Sequence, residues 1–286
     1  MRAPETQKVV PFTGEGAYHG STKPRPEAAA HPGSRLREPV DEMRATTVER
    51  YAAAGATTIA TFAATFPNAY RLVSQLPVPT QDEIRGDGAT FVWTPLPRAL
   101  TEAGPITRRV LAEMQQHLTG TKRHVYIDSK IQYFEAGDVP VDSRHWHVDG
   151  SITARGPAVS SLGLALAHDL RARHERPELA PQLMSYQSSD HCATELALAP
   201  VTVELPELIP SFDELDARVR ALAPPSGPQP AASIVRFDGL SLHRAVAARA
   251  AGWRLWIRCM ETDREVHLNP AIVECYGTVF RLASSA

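Results

Sequence analysis

Cysteine is scarce. The chain of 286 residues holds three, Cys192, Cys259 and Cys275, too few for a disulfide framework and without the close pairing of a structural zinc site. A reducing compartment, the cytoplasm, is the expectation. No apolar run is long enough to cross a membrane as a helix, and the leading residues carry no apolar core of a secretory signal. Neither sign of charge dominates: 30 Lys and Arg stand against 32 Asp and Glu, a formal charge of −2 with pI near 6.6. Nothing therefore attracts the chain as a whole to nucleic acid. A glycine-rich phosphate loop, a Gly-x-Ser-x-Gly elbow and an internal repeat are all missing, so neither a nucleotide-binding βαβ unit nor a solenoid is indicated.

Apolar residues are plentiful at 43 %, enough for the core of one large domain or two small ones. Residues 1–45 are rich in Pro, Gly and charge and read as a flexible or extended arm, with 46–286 as a single catalytic domain. The Ala-rich stretch 46–76 reads as mostly helical, with the β-branched run TTIATFAATF ambiguous. A helix is expected over 105–118, with Pro105 in its first turn, Gly120 beyond its end and an apolar stripe of Ile106, Val110, Leu111, Met114 and Leu118. From His124 the period changes to two: Val125, Ile127, Ile131 and Tyr133 share one face of a strand. Further strands are expected at 159–168, in TELALAPVTVELP, in SIVRF and in WRLWIRCMET, with a capped helix at 212–222. Helices first and many strands afterwards argue for a mainly β fold with flanking α, a jelly roll or barrel. Its core is expected over about 120–265. The span 169–230 reads as an insertion and, with the N-terminal region, as a source of a lid.

One stretch, RHWHVDGS, holds the chemistry. In an extended strand His147 and Asp149 point to one face and aim an imidazole and a carboxylate at one place. That is two thirds of a two-histidine, one-carboxylate set, which suits Fe(II) with open coordination positions. His145 shares that face, so a His-x-His pairing is also open. A His-x-Asp triplet arises often by chance, and a second element has to complete it. His243 follows a strand and an Asp238-Gly239 turn, and Arg254 follows eleven residues later. Arg254 offers a planar fork that binds carboxylates bidentately. Arg258 lies on the same strand face and is the alternative carboxylate partner. His191, in QSSDHCATE, rivals His243 but lacks the preceding strand, the turn and the downstream arginine. Trp256 reads as core, and Arg144, Ser151, Arg155 and Arg249 as surface charge or polar positions.

Three pieces together resemble the Fe(II)- and 2-oxoglutarate-dependent dioxygenases of the double-stranded β-helix, or cupin-type, fold: KIQYFEAGDVPVDSRHWHVDG, SIVRFDGLSLHRA, and Arg254 at a spacing similar to that of the phytanoyl-CoA-hydroxylase-like branch. The resemblance covers about residues 120–262. It implies that His147, Asp149 and His243 hold the iron as the catalytic centre. It implies that Arg254, or else Arg258, pairs with the 5-carboxylate of 2-oxoglutarate, and that Tyr133 touches this cosubstrate, with core packing as the alternative role of Tyr133. The reaction implied is oxidation of an unactivated C–H, by default hydroxylation, with release of succinate and CO2. Related halogenases carry a small residue in place of Asp149, so oxygenation is the expectation. The partners implied are a small-molecule substrate and O2, with no nucleic acid and no membrane. Two readings from other classes stand beside this one: a cupin-fold metal enzyme that does not use 2-oxoglutarate, and a non-catalytic β-barrel binding protein whose histidines are incidental.

Overall fold

Strand alternation decides what each part of this chain covers. The computed structural model describes residues 8–12, 61–88, 90–140, 144–149, 170–206, 212–265 and 278–282; the strand expected at 159–168 lies outside them, as do Ser151 and Arg155. The strands in chain order are β1 (Lys8–Phe12), β2 (Thr61–Phe66), β3 (Arg71–Gln75), β4 (Thr94–Pro95), β5 (His124–Phe134), β6 (Asp138–Val139), β7 (Gln182–Gln187), β8 (Thr194–Ala197), β9 (Val201–Pro206), β10 (Ser226–Pro228), β11 (Ser233–Asp238), β12 (His243–Ala245), β13 (Gly252–Thr262) and β14 (Thr278–Leu282). The helices are α1 (Gln81–Gly86), α2 (Leu96–Glu102), α3 (Pro105–Gln116) and α4 (Phe212–Leu222), with a further helical segment at 170–175. Among the described residues no helix is long and apolar enough to cross a membrane.

A six-stranded sheet has the order β3-β11-β7-β13-β5-β4, and a three-stranded sheet the order β10-β8-β12. An isolated antiparallel bridge between His147 and His243 lays residues 144–149 beside β12 and extends the smaller sheet. Followed along the chain, β5 lies in the large sheet, 144–149 in the small one, β7 in the large, β8 and β10 in the small, β11 in the large, β12 in the small and β13 in the large. Strands that shuttle between two antiparallel sheets in this way make a jelly roll. The mainly β class with a cupin-type core is what the chain adopts.

On the large sheet, alternate residues face opposite ways. Ile127, Met184, Tyr186, Ile234, Leu255 and Ile257 pack outward against Ile84, Leu96, Val110, Leu111 and Met114 of α1, α2 and α3. At about 25 cal/mol per Å² of apolar surface, this layer supplies much of the drive for folding. The start of α3 is held by Asp87, whose carboxylate accepts from the amides of Ile106 (2.6 Å) and Thr107 (3.0 Å). A Cβ at Gly104 would lie 1.4 Å from the Asp87 carbonyl oxygen, so only glycine fits there. The inward face carries polar and charged residues instead. Arg254, Trp256, Arg258 and Met260 of β13 stand opposite Gln132, Lys130, Asp128 and Tyr126 of β5.

Two expectations need correction. Within 46–76, residues 61–66 and 71–75 are strands rather than helix, because β-branched and aromatic residues alternate there and pair with β9 and β11. The span read as an insertion, 169–230, contains β7, β8 and β10, which belong to the jelly roll itself. The stretch TELALAPVTVELP, expected to be extended, supplies β8, whereas the signal of β7 is weak because it points Ser185 and Gln187 into the barrel, which blurs the apolar alternation. From the leading arm, β1 pairs in parallel with β14, which in turn pairs with β6.

Candidate metal centre

Residues 144–149 are oriented by their apolar members. Trp146 and Val148 are buried with Leu215 and Val219 of α4 and with Leu242, so His147 between them turns the other way. The Trp146 amide donates to Oδ1 of Asp216 on α4 at 2.8 Å, which ties the segment to the helix. The backbones of His147 and His243 exchange both hydrogen bonds, 3.0 Å each, and their rings lie 4.5 Å apart, centre to centre. The ligand atoms of His147, Asp149 and His243 all lie within 4.8 Å of one another. Oδ2 of Asp149 is 3.4 Å from Nε2 of His243.

Both imidazoles are set in the same tautomer. Nδ1 of His147 donates to the His145 carbonyl at 2.8 Å, and Nδ1 of His243 to the Ser241 carbonyl at 3.1 Å. That leaves each Nε2 lone pair for a cation, the arrangement in which a backbone acceptor orients a metal-binding histidine. Burial, and then the neighbouring His243, push the pKa of His147 down to about 4, so the ring is neutral near pH 7. Burial alone would raise the carboxyl of Asp149, but Arg258 and then His243 outweigh it and hold it well below the usual carboxylate range. Two ring nitrogens and one carboxylate on neighbouring strands form a donor set that fits a divalent cation.

The backbone around this group is clamped. Nη1 of Arg173 donates to the carbonyls of Asp149 (2.9 Å) and Gly239 (2.7 Å), which joins the two ligand-bearing segments. Asn68, in the left-handed region at φ 52°, accepts from the Leu242 amide at 2.7 Å. The Tyr70 hydroxyl donates to the Leu242 carbonyl at 2.6 Å.

The group opens into a cavity between the two sheets, whose walls include Lys130, Thr194, Phe237, Arg254 and Trp256. Arg254 is 3 % exposed. Its contacts are weak: Nη1 lies 3.8 Å from Sγ of Cys192 and Nη2 3.5 Å from Oγ1 of Thr194, and Nε has no partner among the described residues. Among the described residues no carboxylate pairs with it.

The structure thus brings His147, Asp149, His243 and Arg254 to one cavity. Arg258 faces the same cavity but is already engaged by two aspartates, Asp128 and Asp149, at 2.6 Å each. This corrects its reading as an alternative cosubstrate partner. Tyr133 also needs correction: it lies on the outward face of β5, 39 % exposed and edge-on to Trp253, because the odd positions of β5 cover the helix side. Gln132, its inward neighbour, lines the cavity. His191 donates through Nε2 to the Gly252 carbonyl at 3.1 Å and packs on Phe134, outside the three-residue group. His145 contributes its carbonyl, and Arg249 pairs with Asp190 at the surface. Trp256 lines the cavity as well as packing.

Sequence reasoning missed Asp128, Arg173, Asn68 and Tyr70. The one available signal was the even face of HVYIDSKIQYF, where Asp128, Lys130 and Gln132 alternate with apolar residues. A polar face on a strand whose other face is apolar reads as solvent-exposed, and here it lines the barrel.

No family model matches the sequence, and no curated protein matches it. Two solved structures are similar in part. One is AviO1 from Streptomyces viridochromogenes Tue57, with 16 % identity over 82 % of this chain and 88 % of that one and a TM-score of 0.32. The other is EctD from S. alaskensis in its apoform, with 13 % identity over 71 % of this chain and 76 % of that one and a TM-score of 0.33.

Proposed function

We propose that the protein is an Fe(II)- and 2-oxoglutarate-dependent oxygenase that oxidises a C–H bond of a small molecule, by hydroxylation, with succinate and CO2 as co-products. The observation that carries this reading is Arg254, a buried guanidinium that no carboxylate among the described residues pairs with, in the same cavity as two histidines and one aspartate. A buried arginine left unpaired costs several kcal/mol, and a ligand carboxylate offsets that cost. The donor set, two imidazoles and one carboxylate with no thiolate, suits Fe(II) with open positions.

The metal would supply the activation of O2. The chain's own part is binding, orientation and exclusion of water. His147, His243 and Asp149 hold the ion, with tautomers set by the carbonyls of His145 and Ser241. Arg254 takes the far carboxylate of a dicarboxylic acid and so sets which end faces the metal. Phe237 and Trp256 provide apolar wall.

The test is to add Fe(II) and then 2-oxoglutarate to the protein without oxygen. A weak visible charge-transfer band is expected. Bound iron without the band favours a metal enzyme that does not use 2-oxoglutarate, and neither iron nor band favours a binding protein.

A further inference from the structure

The carboxylate of Asp149 does not stand alone. Nη1 of Arg258 meets its Oδ1 at 2.6 Å, while Oδ2 is the oxygen turned to His243. On its other side the same guanidinium meets Oδ2 of Asp128 through Nη2 (2.6 Å) and Nε (3.2 Å). Asp128 is held in turn by the Trp93 amide, which donates to Oδ1 at 2.8 Å. Arg258 and Asp128 are directly opposed in the β13–β5 register. The guanidinium also lies over the rings of Trp93 (5.0 Å) and Trp256 (5.5 Å). It is therefore gripped by hydrogen bonds in its plane and by rings beside it.

We propose that Asp128 and Arg258 are positioning residues for the metal centre, which occupy Oδ1 of Asp149 and leave Oδ2 as the oxygen offered to the cation. This rests on the metal-binding part of the reading above. A simple ion pair between Arg258 and Asp128 would already be complete across the two strands. Recruiting Asp149 as well puts two carboxylates on one guanidinium and leaves one net negative charge, at the oxygen that faces the histidines. A freely rotating aspartate could present either oxygen or both. Arg258 removes that freedom before any ion arrives, and Asp128 removes the freedom of Arg258. The planar fork matters because one ammonium cannot serve two carboxylates from opposite edges.

Charge and position make opposite predictions, which separates them. A guanidinium beside a cation site repels the cation, so its loss as a charge alone would tighten metal binding. Its loss as a positioning group weakens binding. The probe is Co(II), titrated into the full chain while its d–d absorption is followed, with circular dichroism as the check on folding. The double variant Asp128→Asn/Arg258→Met removes one charge of each sign, so the net charge around the site is unchanged. Arg258→Lys keeps the charge and loses the fork, and it serves if the double variant does not fold. Both are expected to bind Co(II) about 10–100-fold more weakly than wild type, the range for residues that orient metal ligands, with a changed absorption spectrum. Equal or tighter binding with an unchanged spectrum in the folded variants overturns the proposal while the metal reading stands. Wild-type protein that binds neither Co(II) nor Fe(II) overturns both.

Discussion

Replacing Arg254 with leucine is expected to weaken 2-oxoglutarate and strengthen the ligand-free fold at once. The side chain is 3 % exposed, its polar neighbours are a thiol at 3.8 Å and a hydroxyl at 3.5 Å, and Nε has no partner among the described residues. A buried donor left without a partner costs about 1–3 kcal/mol. Removing the group should therefore raise the stability of the ligand-free protein by a similar amount, or Tm by roughly 2–4 °C per kcal/mol for a chain somewhat smaller than this one. Truncating one partner of a buried charge pair costs about 2–5 kcal/mol, so 2-oxoglutarate should bind roughly 30- to 4,000-fold more weakly, at 1.4 kcal/mol per factor of ten. Iron binding should be unchanged, because Arg254 touches none of the three ligands. The assay is titration of the charge-transfer band without oxygen, paired with thermal unfolding with and without 2-oxoglutarate. Wild type at a hundred times Kd should gain about 2.7 kcal/mol from the ligand, whereas the variant should start higher and gain little. Arg254→Lys should recover part of the affinity, since an ammonium lacks the bidentate fork. A variant that unfolds earlier and binds 2-oxoglutarate as tightly as wild type would show Arg254 to be structural and refute the reasoning.

His147→Ala, Asp149→Ala and His243→Ala should each abolish stoichiometric Fe(II) binding with the fold retained by circular dichroism; loss in His191→Ala and not in His243→Ala would move the distal ligand. The pKa of His147 is depressed from 6.5 to about 4, so the unfolded chain takes up this proton before the folded one does. Metal-free protein should therefore lose stability as pH falls from about 6.5 towards 4 and show no contribution from this residue above that window; His147→Gln, compared by denaturant unfolding across that range, should flatten the slope. Gly239→Ala places a Cβ 2.6 Å from Nη1 of Arg173 and from Cδ of Pro181. It should cost about 1–3 kcal/mol and weaken metal binding, since Arg173 also holds the Asp149 carbonyl; normal metal affinity would mean that the clamp is irrelevant to the site.

Local patterns were legible in the sequence because they depend only on neighbouring residues. Period two after His124 marked β5, the Pro105 and Gly120 signals marked α3 to within two residues at its end, and the i, i+2 relation put His147 and Asp149 on one face. The Asp238-Gly239 turn marked out His243 and the strand that carries Arg254. What could not be read was which face of a strand lies inside a barrel. Apolar odd positions of β5 announced a buried face, yet the helices cover that face and the polar even face lines the cavity, so Tyr133 was misassigned and Asp128 went unnoticed. The same ambiguity hid β7 within a supposed insertion. Arg254 and Arg258 are equivalent in sequence, four residues apart on one face. Only the register between β5 and β13 sets Arg258 against Asp128 and leaves Arg254 beside a thiol and a hydroxyl. Charge pairing across strands is a property of that register, and no single stretch of sequence contains it.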